Sequence, residues 1–168
     1  MKKLLILFFF FGSLQSAFTR DLPLHLREDD RDEGKGIGLK IGYEYQRSSY
    51  LEAGALFYHW TGASGTPFGF KGLEAGAECR LGGSHFYYGP KLSCEITAFI
   101  FGARASLTYL TGRNEKALFF APELGFTLLG HVYAYFGYNF NFSDRSILNM
   151  NGPKLSIGIN LYEINSPY

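Results

Sequence analysis

A period of two runs through this chain in eight short segments, and the charges fall on only one of the two faces that it defines. In the first segment Ile37, Leu39, Ile41, Tyr43 and Tyr45 make one face, and Gly38, Lys40, Gly42 and Glu44 make the other. Successive side chains of a strand point to opposite sides, so the pattern reads as strands with one water-avoiding surface. Across the eight segments that surface collects about 41 positions without an Asp, Glu, Lys or Arg. Lipid outside and a tight polar lumen inside is the arrangement that satisfies both faces. The expected fold is all-β: an eight-stranded antiparallel up-and-down transmembrane barrel whose lumen is filled by side chains.

The first residues read as an export signal. Lys2 and Lys3 precede an apolar run from Leu4 to Phe11 and a small-residue exit through Gly12, Ser13, Ser16 and Ala17. That run is far shorter than the roughly 20 residues of a spanning helix, so residues 1–17 are expected to be cleaved. Net charge is +1 and becomes −1 once Lys2 and Lys3 leave. Lys and Arg are scattered among acids, which excludes a nucleic-acid footprint. A charged stretch follows, centred on Arg27-Glu28-Asp29-Asp30-Arg31-Asp32-Glu33, and residues 18–36 are expected to be a flexible periplasmic lead-in.

The strands are expected near 37–46, 50–59, 71–81, 90–98, 101–110, 117–128, 131–142 and 153–163, making residues 37–164 the barrel and 165–168 a tail. Three tetrads recur at offsets of 32 and 31 residues: Gly89-Pro90-Lys91-Leu92, Ala121-Pro122-Glu123-Leu124 and Gly152-Pro153-Lys154-Leu155. That is one hairpin period, and proline favours strand starts, so the tetrads mark even-numbered strands entering from one rim. Pro122 falls inside the sixth expected strand, which calls for a later start or a bulge. The connector from Trp60 to Phe70 is the longest on a side where turns are normally short.

The polar face holds nine glycines, Gly38, Gly42, Gly54, Gly72, Gly76, Gly102, Gly125, Gly137 and Gly158, which a crowded lumen needs. It also holds Glu44, Glu52, Glu74, Glu78, Glu95 and Glu123 against Lys40, Arg80, Lys91, Arg104 and Lys154. Buried charges must be paired, so a structural network across the lumen is expected, with Arg104 as its bidentate clamp. The abundant aromatics, including Tyr43, Tyr45, Phe57, Tyr58, Trp60, Tyr87, Tyr88, Phe119, Phe120, Tyr133 and Tyr135, read as girdles at the two membrane interfaces. If Gly82 and Gly83 make a tight turn, Cys79 lies opposite Phe86 and out of disulfide reach of Cys94. A longer loop centred between Phe86 and Tyr87 would bring the two together.

Signal, strand count, alternation, aromatic density and a glycine-studded charged interior resemble the small eight-stranded outer-membrane barrels, of the outer membrane protein A transmembrane domain and outer membrane protein X kind. The likeness covers about residues 37 to 163 and rests on no sequence signature. It implies a monomeric protein of the outer membrane, in contact with outer-membrane lipid and delivered by barrel-insertion machinery that reads the last strand. Here Leu155, Ile157, Ile159 and Leu161 alternate as required, and the insertion signal centres on Tyr168 or on Leu161 and Tyr162.

The expected role is structural or interactive in the cell envelope, without catalysis, cofactor or metal. Two alternatives stand beside it. A lipid-modifying enzyme would use His85 or a lumen acid, although none of His25, His59, His85 and His131 has a serine at convincing spacing. A secreted soluble barrel of lipocalin type would turn the apolar face inward around a small lipophile, and glycines on its wet surface argue against it. An unidentified protein partner would meet the outer loops, where Arg113, Asn114, Asp144, Arg145 and Met150 are the available contacts.

Overall fold

We describe a computed structural model of the chain over residues 32–63, 66–82, 86–112, 115–143 and 151–162. Eight strands follow in order: β1 (Asp32–Tyr45), β2 (Ser49–Ala63), β3 (Thr66–Leu81), β4 (Tyr88–Ala98), β5 (Phe101–Gly112), β6 (Glu115–Leu128), β7 (Val132–Asn141) and β8 (Gly152–Leu161). Every neighbour in sequence is an antiparallel neighbour in space, and β1 pairs with β8 from Leu39↔Leu161 to Tyr45↔Leu155, closing the barrel. One rim, where β1 enters and β8 leaves, carries the β2–β3, β4–β5 and β6–β7 hairpins. We call it the terminal rim, and the opposite one the loop rim.

The fold is the all-β eight-stranded barrel that the alternation predicts, but its first six strands are longer than expected, the first three most of all. β1 starts at Asp32, so the last five residues of the predicted flexible lead-in are strand. The cause is a set of cross-strand pairs: Gly34 faces Trp60 and Gly36 faces Tyr58. A Cβ at Gly34 would collide with the Trp60 indole and one at Gly36 with the Tyr58 phenol, so each ring lies over a glycine and covers it. The long connector likewise dissolves, because β2 continues to Ala63 and β3 resumes at Thr66, with a register shift at Thr61/Gly62.

Pro122 resolves in a third way. β6 runs through it without a bulge and keeps one register against β7 on either side, from Phe120↔Phe140 to Glu123↔Gly137, while the ladder is interrupted at 121 and 122. Proline removes a donor and leaves the register intact. Pro90 does the same between β4 and β5, where the ladder passes from Tyr88↔Thr111 to Lys91↔Thr108. Pro90 and Pro153 lie near the starts of β4 and β8, as proline prefers, whereas Pro122 is mid-strand.

Two terminal-rim hairpins are tight. In the β6–β7 turn, His131 N donates to Leu128 O at 2.9 Å, and Leu129 and Gly130 both have positive φ, 50° and 74°. That is the type I′ geometry whose twist matches the strands it joins. The β4–β5 turn uses Phe99 at φ 56°. Cys79 pairs in register with Tyr88 instead of Phe86, and Cys94 pairs with Leu73, six residues away along β3. Both thiols are free.

Candidate functional site

The interior is built by parity. Lys40 and Glu44 on β1, Glu52 on β2, Glu74 and Glu78 on β3, Lys91 and Glu95 on β4, Arg104 on β5, Glu123 on β6 and Lys154 on β8 are all buried. The hairpin-period tetrads set three of them, Lys91, Glu123 and Lys154, at corresponding places on alternate strands. All three reach the same hub.

Arg104 is that hub. Its Nε donates to Glu123 Oε2 at 2.8 Å, Nη1 to Glu52 Oε1 at 2.9 Å and Nη2 to Glu44 Oε1 at 3.0 Å, so one planar fork engages three carboxylates from three strands. Lys91 donates to Glu44 and Glu52 and lies 3.4 Å from Glu78, which makes a closed ring of two cations and two shared carboxylates. Lys154 adds a contact to Glu44 at 2.8 Å and one to Glu123 at 3.8 Å. Ser156 donates to Glu123 at 2.5 Å. Charges removed from water are tolerable only when paired and hydrogen-bonded in this way.

A second cluster centres on Lys40, 2.6 Å from Glu95 and 3.8 Å from Glu74. Ser93 donates to Glu74 and Tyr135 to Glu95, the latter at 2.8 Å. Among the described residues the six buried carboxylates outnumber the four buried cations, and the hydroxyls of Ser93, Thr108, Tyr133, Tyr135 and Ser156 donate to carboxylates beside them. Arg80 stands apart from the network. It is half-buried near the loop rim with its guanidinium 5.7 Å from the Tyr87 ring.

Between the clusters lie Tyr133 and Tyr135, neighbours on the inner face of β7, their rings stacked at 5.4 Å. They run in opposite directions around the lumen. Tyr133 passes over Gly158 of β8 to Gly42 of β1 and donates to Glu52, while Tyr135 passes over Gly125 of β6 to Gly102 of β5 and reaches Glu95. A Cβ at Gly42 or Gly102 would strike a phenol oxygen. Lys40 Nζ lies 4.4 Å from the Tyr133 ring centre, and the Arg104 guanidinium 5.2 Å and 5.4 Å from the two rings, so cation–π attraction ties both clusters to the pair.

Apolar layers close both ends. Toward the loop rim Tyr50, Tyr87, Leu110, Ala117 and Phe119 form one buried cluster. Toward the terminal rim Leu56, Trp60 and Phe70 form another, against which Tyr58 and Tyr162 pack. Tyr162 stacks on His131 at 4.2 Å and donates to Leu129 O at 2.8 Å; burial raises its phenol above the usual tyrosine range. This corrects the girdle assignment for Tyr58, Trp60, Tyr87, Phe119, Tyr133 and Tyr135, which point inward, and for Phe120, which is buried. For the inward residues, parity with the lumen glutamates and glycines was the signal that would have found them; Phe120 has the opposite parity to Glu123.

The exterior retains Tyr43, Tyr45, Tyr88, Tyr109 and Tyr138 toward the loop rim and Phe57, Phe99, Phe101 and Phe126 toward the terminal rim, all exposed. His59 points outward, its Nε2 3.5 Å from Glu33, and His131 Nδ1 is 3.1 Å from Asn160 O. Cys94 Sγ lies 3.7 Å from Ala105 O. His25, His85, Tyr168 and the loop contacts Arg113, Asn114, Asp144, Arg145 and Met150 fall outside the described residues. Among the described residues no group of three His, Cys, Asp or Glu side chains is arranged to hold a metal ion.

No protein-family model, curated protein or solved structure matches this chain.

Proposed function

We propose that the chain is an outer-membrane barrel whose role in the cell envelope is structural or interactive and not catalytic. The carrying observation is the inversion of an ordinary protein: among the described residues ten charged side chains are buried inside, while Ile37 is 70% exposed and Phe126 61% exposed on the outside. A water-soluble barrel would pay for that exterior, whereas a bilayer makes it the favourable surface. From Phe101 to Tyr109 on β5 the exterior aromatics span eight residues, about 26 Å along the strand. At the tilt of a small barrel this is roughly 20 Å of height, close to the apolar band of an outer-membrane barrel.

The interior supports the non-catalytic reading. Its carboxylates pair with cations and hydroxyls, and they are buried between the two apolar layers. A lipocalin-type barrel needs an apolar interior around its lipophile, and here the space between the layers holds ion pairs.

The test is expression with the export segment in a host that has an outer membrane, followed by fractionation and gel electrophoresis of heated and unheated samples. The expected result is recovery in the outer-membrane fraction and heat-dependent migration. A detergent-free soluble monomer would overturn the membrane assignment, and a changed lipid A or phospholipid profile on overexpression would overturn the absence of catalysis.

A further inference from the structure

Among the described residues the exterior is uncharged along the strands except close to the rims, and at the terminal rim its charges are confined to three adjacent strands. In register, Lys35 of β1 faces His59 of β2, and His59 faces Lys71 of β3. Adjacent side chains on such a row stand about 5 Å apart, so the three bases form one short line around the wall. All three share the outward parity of Ile37, Phe57 and Leu73, which make the next outward row toward the barrel's middle and are exposed. Lys71, at the expected start of the third strand, belongs to the outward face and is a charge on the face that the alternation reads as free of charge.

The rest of this rim is different. Its outward positions on β4 to β8 are Ala98, Phe101, Phe126, Leu128, Val132, Ile159 and Leu161. A basic line on one side of the wall, directly above an apolar surface, matches one molecule in both of its parts: an anionic head and acyl chains. Glu33 does not oppose this, because it stands one outward row farther from the apolar surface, where it holds His59.

We infer that Lys35, His59 and Lys71 form a docking site for the phosphate of an anionic phospholipid, whose acyl chains lie along Ile37, Phe57 and Leu73. Lysine ammonium groups on flexible stems bring charge to the phosphate while their methylenes rest on the apolar wall. The extension of β1 to Asp32 is what creates the site, since Lys35 lies on the strand segment beyond the last β1–β8 pair. This inference rests on the membrane assignment proposed above and names a lipid for one face of it.

The test uses the full chain in neutral-detergent micelles, with phosphatidylglycerol or phosphatidylcholine added and bound lipid counted by native mass spectrometry. Each lysine near an anionic headgroup multiplies affinity about fivefold, so the pair should favour phosphatidylglycerol by about 25-fold. The Lys35→Gln/Lys71→Gln double variant should lose that preference. Lys116→Gln, an exposed outward position near the loop rim, should keep it. Equal retention of the two lipids by the unaltered chain, or persistence of the preference in the double variant, overturns the site. Displacement of the lipid by equimolar inorganic phosphate would show a free-phosphate site and also overturn it. A chain that fractionates with membranes and migrates by heat but shows no lipid preference defeats this inference alone; a detergent-free soluble monomer defeats both.

Discussion

Arg104 on β5 and Glu123 on β6 face each other across a single ladder step, Nε to Oε2 at 2.8 Å, and the same guanidinium reaches Glu52 and Glu44 on the far side of the β1–β8 closure. Neighbours in the sheet and strands across the lumen are therefore held by one side chain. That makes Arg104 the place where local pairing and barrel closure become one interaction.

Arg104→Ala should lower the unfolding free energy by about 3–5 kcal/mol, because three buried carboxylates lose a shared cation. Urea titration of the protein in detergent micelles, followed by heat-dependent gel migration, measures it. Arg104→Lys should recover only part of the loss, since a point charge cannot engage three carboxylates in one plane. A loss near zero for Arg104→Ala would mean that the network is redundant around Lys91 and Lys154.

Gly102 and Tyr135 should behave as one unit. Gly102→Ala places a methyl against the Tyr135 phenol and should cost about 1–3 kcal/mol, as overpacking does. Tyr135→Ala carries its own penalty and leaves the Gly102 site open. In the double variant the two penalties should fall short of their sum by about 1 kcal/mol or more, which a thermodynamic cycle measures. Strict additivity would show that the ring does not lie over Gly102.

Trp60 is the single tryptophan, fully buried within the terminal-rim layer. Its fluorescence should be blue-shifted in the folded protein, weakly quenched by iodide and weakly quenched by brominated acyl chains, and it should shift red on unfolding. Strong quenching by brominated lipid would return Trp60 to the outer girdle and contradict the inward parity of β2.

Leu129 adopts φ 50° in the type I′ turn before β7, a conformation that costs a bulky L-residue about 1–2 kcal/mol. Leu129→Asn should raise stability by about 1 kcal/mol in detergent micelles, because Asn tolerates that region and Gly130 already occupies the next position. The Tyr162 bond to Leu129 O is a backbone contact and survives the change. A destabilised variant would show that the exposed Leu129 side chain contributes more than the turn strain takes away.

Much of the architecture is legible in the period of two. Strand number, antiparallel order and the inward residues from Lys40 to Lys154 follow from alternation, because a one-residue slip would turn every side chain to the other face. Sequence and structure part where a second local signal competes with parity. Gly34 and Gly36 lie next to a charge run and read as linker, although they continue the glycine parity of Gly38; Trp60 and Tyr58 supply the packing that makes this segment a strand. Gly62, Gly65, Pro67 and Gly69 read as loop punctuation, although β2 and β3 pair almost to their hairpin. Trp60, Tyr87 and Tyr133 read as girdle because aromatics are common there, although their parity is inward.

Alternation by itself determined which side chains turn inward, since that choice depends only on position along a strand of fixed handedness. It did not determine which of them meet. Lys40 pairs with Glu95 across 55 residues and Arg104 with Glu44 across 60, and neither pair lies on adjacent strands. Those partners depend on the stagger of the strands and on the width left after Tyr133 and Tyr135 cross the lumen over their glycines. Both quantities exist only once β1 and β8 have closed the wall, and closure is a property of the tertiary structure.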